Sequence, residues 1–115
     1  MKIRTVMDVL QADLLYGEDL GRQVDTAFAG DLMSDVLAYA GQCGVLLTGL
    51  VNAQVVRTAD MLDICCIVFV RGKTPGEDVL ALAKSKNMVI LRTKHLMFTS
   101  CGILHENGLK GGRNV

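Results

Sequence analysis

Polar and basic residues follow three short apolar runs in this sequence. Thr48, Gly49 and Asn52 follow the run 45–47, Arg71, Gly72 and Lys73 follow 64–70, and Arg92, Thr93 and Lys94 follow 88–91. Glycine amides and hydroxyls donate hydrogen bonds, and the cations neutralise charge. Brought together, these groups suit a phosphate or another small anion. Gly72-Lys73-Thr74 are also the closing letters of a nucleotide phosphate loop, which opens with a glycine separated from Gly72 by four residues. That place belongs to Ile67, inside an apolar run, and Pro75 withholds an amide where the next helix begins. The tripeptide therefore reads as a strand-to-helix turn, with Thr74 as cap and Pro75 at the first helical position.

Other chemistry finds less support. Cys43, Cys65, Cys66 and Cys101 form no CxxC pair. Cys65 and Cys66 are neighbours that a strand would point to opposite faces. Cys101 and His105 share a face only if the last helix continues that far. We expect reduced thiols, no metal site and no cofactor. The chain has 2 histidines and no Gly-x-Ser-x-Gly elbow, so no catalytic triad is legible. No enzymatic activity is expected.

The elements that would position the rim follow from periodicity. Residues 45–47, 64–70 and 88–91 are apolar on both faces, as strands covered on both sides must be. Residues 52–62 are amphipathic and begin at Asn52, a good helix cap. Residues 75–87 open with Pro and acids and finish with Lys, which suits the helix dipole. Thr5 can cap a first helix, and Asp31 or Ser34 can cap another over "GDLMSDVLAYAGQCG". "DLLYGEDLG" and "VDTAFAGD" read as short strands, and "KHLMFTSCGIL" as a last helix. Strands alternating with helices of this length predict an α/β fold: a single domain with a mainly parallel central sheet flanked by helices. In such a sheet the carboxyl ends of the strands share one edge, where ligands bind. We expect a domain over residues 1–105 and a loose, Gly-rich tail over 106–115.

Composition narrows the partners. The chain has 115 residues, is 50% hydrophobic and carries a formal charge of zero. Neutrality leaves no electrostatic footprint for nucleic acid or an anionic membrane. Tryptophan is absent and aromatics are 4%, so no stacking platform for single strands is expected. The N-terminus shows no signal peptide, and no apolar stretch is long enough to span a bilayer. A cytoplasmic protein is expected.

The ordered series "GDLMS…LLTG…VVRTADM…IVFVRGK" resembles the DRTGG domain family, and the likeness runs to about Leu104. These domains are regulatory modules beside nucleotide-binding modules in some pyrophosphatases and in phosphate acetyltransferases. They are similar to the N-terminal domain of HPr kinase/phosphorylase. Of the letters that name the family, Asp60 and Gly72 are kept; Asp60-Met61 stands for Asp-Arg, and Val70-Arg71-Gly72 for Thr-Gly-Gly. The resemblance implies an α/β regulatory domain that forms a homodimer, without kinase chemistry. The combined expectation is a non-enzymatic regulatory or sensor module. It would bind a nucleotide or phosphate-type anion through Thr48, Gly49, Asn52, Arg71, Gly72, Lys73, Thr93 and Lys94. The alternatives are an interaction module that docks on a partner enzyme without a small ligand, and a phosphotransferase accessory domain.

Overall fold

The apolar runs lie side by side at the centre of one sheet. The computed structural model describes residues 1–42 and 44–112, so Cys43 and residues 113–115 lie outside the described residues. The helices are α1 (Ile3–Val9), α2 (Met33–Tyr39), α3 (Ala53–Met61), α4 (Glu77–Ser85) and α5 (Met97–Glu106). The strands are β1 (Asp13–Tyr16), β2 (Thr26–Ala29), β3 (Val45–Thr48), β4 (Cys66–Phe69), β5 (Val89–Arg92) and β6 (Lys110–Gly111). Their order in the sheet is β1-β5-β4-β3-β2-β6. β2, β3, β4, β5 and β6 pair in parallel, and β1 lies antiparallel against β5. The chain thus forms one α/β domain with a mainly parallel sheet, as its pattern predicts.

Strand alternation sends successive side chains to two cores. Leu46, Ile67, Phe69 and Ile90 face α2, α3 and α4, where they meet Val36, Val55, Val56, Ala59, Val79 and Ala83. Val45, Leu47, Cys66, Val68 and Leu91 face α1 and α5, where they meet Ile3, Val6, Leu10 and Leu104. The units β2-α2-β3-α3-β4-α4-β5 step one way across the sheet, so their three helices cover one face. Burying strands on both faces leaves their ends as the places where the sheet's backbone reaches solvent.

Several local expectations change. The N-cap of α1 is Lys2, with no side-chain cap, and Thr5 sits in its first turn. Leu32 is the N-cap of α2, again without a side-chain cap, because Asp31 is engaged elsewhere. Gly76 is the N-cap of α4, and Thr74 instead accepts a hydrogen bond from Arg92 Nη1 at 2.8 Å. The helix after β5 begins at Met97 and continues to Glu106, so Cys101 and His105 do share its length. Cys65 precedes β4 and packs in the same core as Cys66, donating its thiol to Gly44 O at 3.4 Å. Within the expected tail, Glu106 completes α5 and Lys110–Gly111 form β6 against β2.

Candidate functional site

The tips of β3, β4 and β5 are level. Thr48 pairs with Phe69, and Phe69 with Arg92, so the three strands end in one row. β1 runs the other way, and its first residue, Asp13, pairs with Arg92. On the far side β2 ends at Ala29, opposite Leu47, and the chain passes through Gly30 to Asp31. The row is therefore bounded by a carboxylate at each end.

Asp31 organises the β3 tip. Gly49 N donates to its Oδ1 at 2.7 Å, and the Thr48 hydroxyl donates to the same oxygen at 3.0 Å. Its Oδ2 lies 4.0 Å from Arg71 Nη2, with both side chains about half exposed. A Cβ at Gly49 would run into the Arg71 guanidinium, so glycine is what lets the arginine lie across this tip. Arg71 and Gly72 have φ of 62° and 66°. Lys73 N donates to Val70 O at 3.2 Å, which closes a tight turn with two left-handed residues. Arg71 is uncommon there for a residue with a Cβ. Two backbone bonds hold it: Arg71 N to His95 O and Gly72 N to Thr93 O, both 2.9 Å.

The β5 tip forms a second group. Leu10, Gln11, Asp13, Arg92, Thr93, Lys94 and His95 line a cleft of about 300 Å³. Arg92 is committed to its neighbours, donating through Nη2 to Asp13 Oδ2 at 2.8 Å and through Nη1 to Thr74. Thr93 is buried; its hydroxyl donates to Leu10 O at 2.8 Å and accepts from His95 N at 3.3 Å. Among the described residues Lys73 and Lys94 form no ion pair, and both are exposed.

The expected residues thus share an edge but do not share one role. Thr48, Gly49 and Arg71 meet around Asp31. Asn52 accepts from Val55 N at 3.3 Å and serves as the cap of α3. The donor roles expected of Gly72 N–H and the Thr93 hydroxyl are filled by Thr93 O and Leu10 O. Lys73 and Lys94 remain as solvent-facing cations, and Arg71 as a half-exposed one. Asp31 and Asp13 were not legible as site residues. The sequence offers one signal for Asp31, an acid placed just after a strand at the ligand-binding edge of a parallel sheet.

A smaller groove of about 160 Å³ lies between α5 and the β2–β6 edge, lined mainly by apolar groups that include Phe28, Leu47, Leu104 and Leu109. Among the described residues no group of three or more His, Cys, Asp or Glu could hold a metal ion. Burial pushes the thiols of Cys66, Cys65 and Cys101 up, and for Cys65 it outweighs the nearby Arg22 charge. Protonated thiols are poor nucleophiles and poor ligands. No helix among the described residues is long and apolar enough to cross a membrane.

No protein-family model and no curated protein matches this chain. A solved structure does: the CBS and DRTGG domains of the regulatory region of Clostridium perfringens pyrophosphatase, complexed with the activator diadenosine tetraphosphate. The TM-score is 0.72 at 15% sequence identity, and the match covers 99% of this chain and 52% of that one. This chain therefore spans about half the length of that structure. At such low identity the likeness speaks for the fold, and it agrees with the order of motifs in the sequence: the chain has a DRTGG-like fold.

Proposed function

We propose that this chain is a non-enzymatic regulatory or sensor module that binds a small nucleotide or phosphate-type anion at the carboxyl edge of its strands. The observation that carries the reading is the level row of tips, where Lys73 and Lys94 are exposed and form no ion pair among the described residues, and half-exposed Arg71 follows the β4 tip. Several cations on one edge of a sheet favour a ligand with several negative oxygens over a single charge. Thr48, Asn52, Gly72 and Thr93 then serve by shaping the loops, and Gly49 by admitting Arg71. A nucleotide activator bound by the pyrophosphatase regulatory region supports the same class of ligand.

Thermal unfolding tests the proposal, with AMP, ADP, ATP, diadenosine tetraphosphate and inorganic tripolyphosphate as probes. A ligand at one hundred times its dissociation constant stabilises the fold by about 2.7 kcal/mol. That is a rise of about 10 °C for a chain of this length. Lys73→Ala with Lys94→Ala should abolish the rise. No shift with any probe at millimolar concentration overturns the reading.

A second reading has its own observation. Phe98 is 89% exposed and Leu96 61%, both at the start of α5. Large apolar side chains left in water favour a protein contact. On this reading the module is a cytoplasmic homodimer or docks on a partner enzyme. Sedimentation showing a monomer at all concentrations, unchanged by Phe98→Ser, speaks against the homodimer.

A further inference from the structure

We propose that Asp31 is a resident competitor for the anion site, and that a polyphosphate binds the β3 tip by displacing its carboxylate. The inference rests on the anion-binding reading above and names what that site must first give up. A backbone amide, a hydroxyl and a guanidinium converge on Asp31, from Gly49, Thr48 and Arg71. These are the donor types that hold a phosphate oxygen, and here they already hold a carboxylate oxygen. Two anions cannot occupy the same donors without strong repulsion.

Displacement starts at the solvent-facing Arg71 contact, since the Thr48 and Gly49 donors are buried. The Asp31 side chain is 55% exposed and that of Arg71 46%, and their charged atoms are 4.0 Å apart. Exposed pairs at such separations are weak. Gly49 lacks the side chain that would push Arg71 off the tip, so the guanidinium can turn from the carboxylate to an incoming oxygen. A tethered carboxylate has a high local concentration, however, and a free monoanion gains little against it. The ligand class that prevails is a chain of phosphates, which replaces Asp31 at Arg71 and also reaches the exposed cations of the neighbouring tips.

Calorimetric titration of the full chain with inorganic tripolyphosphate tests this. Asp31→Asn keeps an amide oxygen for Gly49 N–H while removing the charge. It should bind tripolyphosphate about fivefold tighter than wild type, since one exposed unit charge at about 4 Å contributes about 1 kcal/mol. Asp31→Ala should show the same direction, and adding Arg71→Ala to Asp31→Asn should erase the gain. Equal or weaker affinity in Asp31→Asn, with wild type still binding, overturns the competitor and leaves the anion-binding reading standing. Binding by Asp31→Asn alone supports the competitor while refuting a ligand role for the wild-type tip. Absence of binding in every variant overturns both.

Discussion

Replacing Thr93 by valine separates a structural hydroxyl from a ligand donor. Thr93 is 1% exposed, and its Oγ1 donates to Leu10 O at 2.8 Å and accepts from His95 N at 3.3 Å. These bonds join the β5 tip to the end of α1 and to the loop that enters α5. Valine has nearly the same shape, so little packing is lost, but Leu10 O loses its buried donor. Leaving such a carbonyl unpaired costs about 1–3 kcal/mol. For a chain of this length each kcal/mol lowers the midpoint by about 4 °C, so calorimetry should show a fall of about 4–12 °C. Thr93→Ser keeps the hydroxyl and loses one methyl, a cost of about 1 kcal/mol. Serine should therefore be the milder change, and it should leave any nucleotide-induced stabilisation intact because the hydroxyl points inward. A valine variant as stable as wild type, or a serine variant less stable than valine, refutes this reasoning.

Three further changes test other parts of the fold. Gly17 has a φ of 133°, and a Cβ there would lie 2.8 Å from Val89 Cγ2 and 2.9 Å from Val89 Cα. Gly17→Ala should cost about 2–5 kcal/mol in urea unfolding, from backbone strain and overpacking together. Ser100 is fully buried on α5, and its hydroxyl has no partner among the described residues, so Ser100→Ala should raise stability by about 1 kcal/mol. Burial raises the Cys66 thiol from its ordinary 9.0, so above that pH the folded chain holds a proton that the unfolded chain releases. Stability is full below pH 9.0 and falls as pH rises through the alkaline range. At neutral pH, peptide mapping after iodoacetamide should find Cys66 modified only at the rate of unfolding.

The central sheet was legible because three runs apolar on both faces leave few alternatives. Residues 45–47, 64–70 and 88–91 became β3, β4 and β5, in order and in parallel. Type and position alone mark Asn52 as a helix cap, and it is one. The reading failed where a distant partner outbid a local signal. Asp31 has the look of a cap for α2, yet its oxygen goes to Thr48 and Gly49, well along the chain. Thr74 has the look of a cap for α4, yet it receives Arg92 from β5. Arg92 reads as a rim cation, and Asp13 on the antiparallel β1 claims it. That pairing was hidden because the short stretch 13–16 carries no mark of its direction. β6 was hidden for a similar reason: two residues have no periodicity, and β2 supplies the template.

The proposal of an anion-binding edge is tested most directly by an amide NMR titration of the labelled full chain with ADP and with tripolyphosphate. The account expects shifts confined to Gly49, Arg71, Gly72, Lys73, Lys94 and their immediate neighbours, saturating with added ligand. Shifts centred on the groove between α5 and β6, or an unchanged spectrum at saturating concentration, would contradict it.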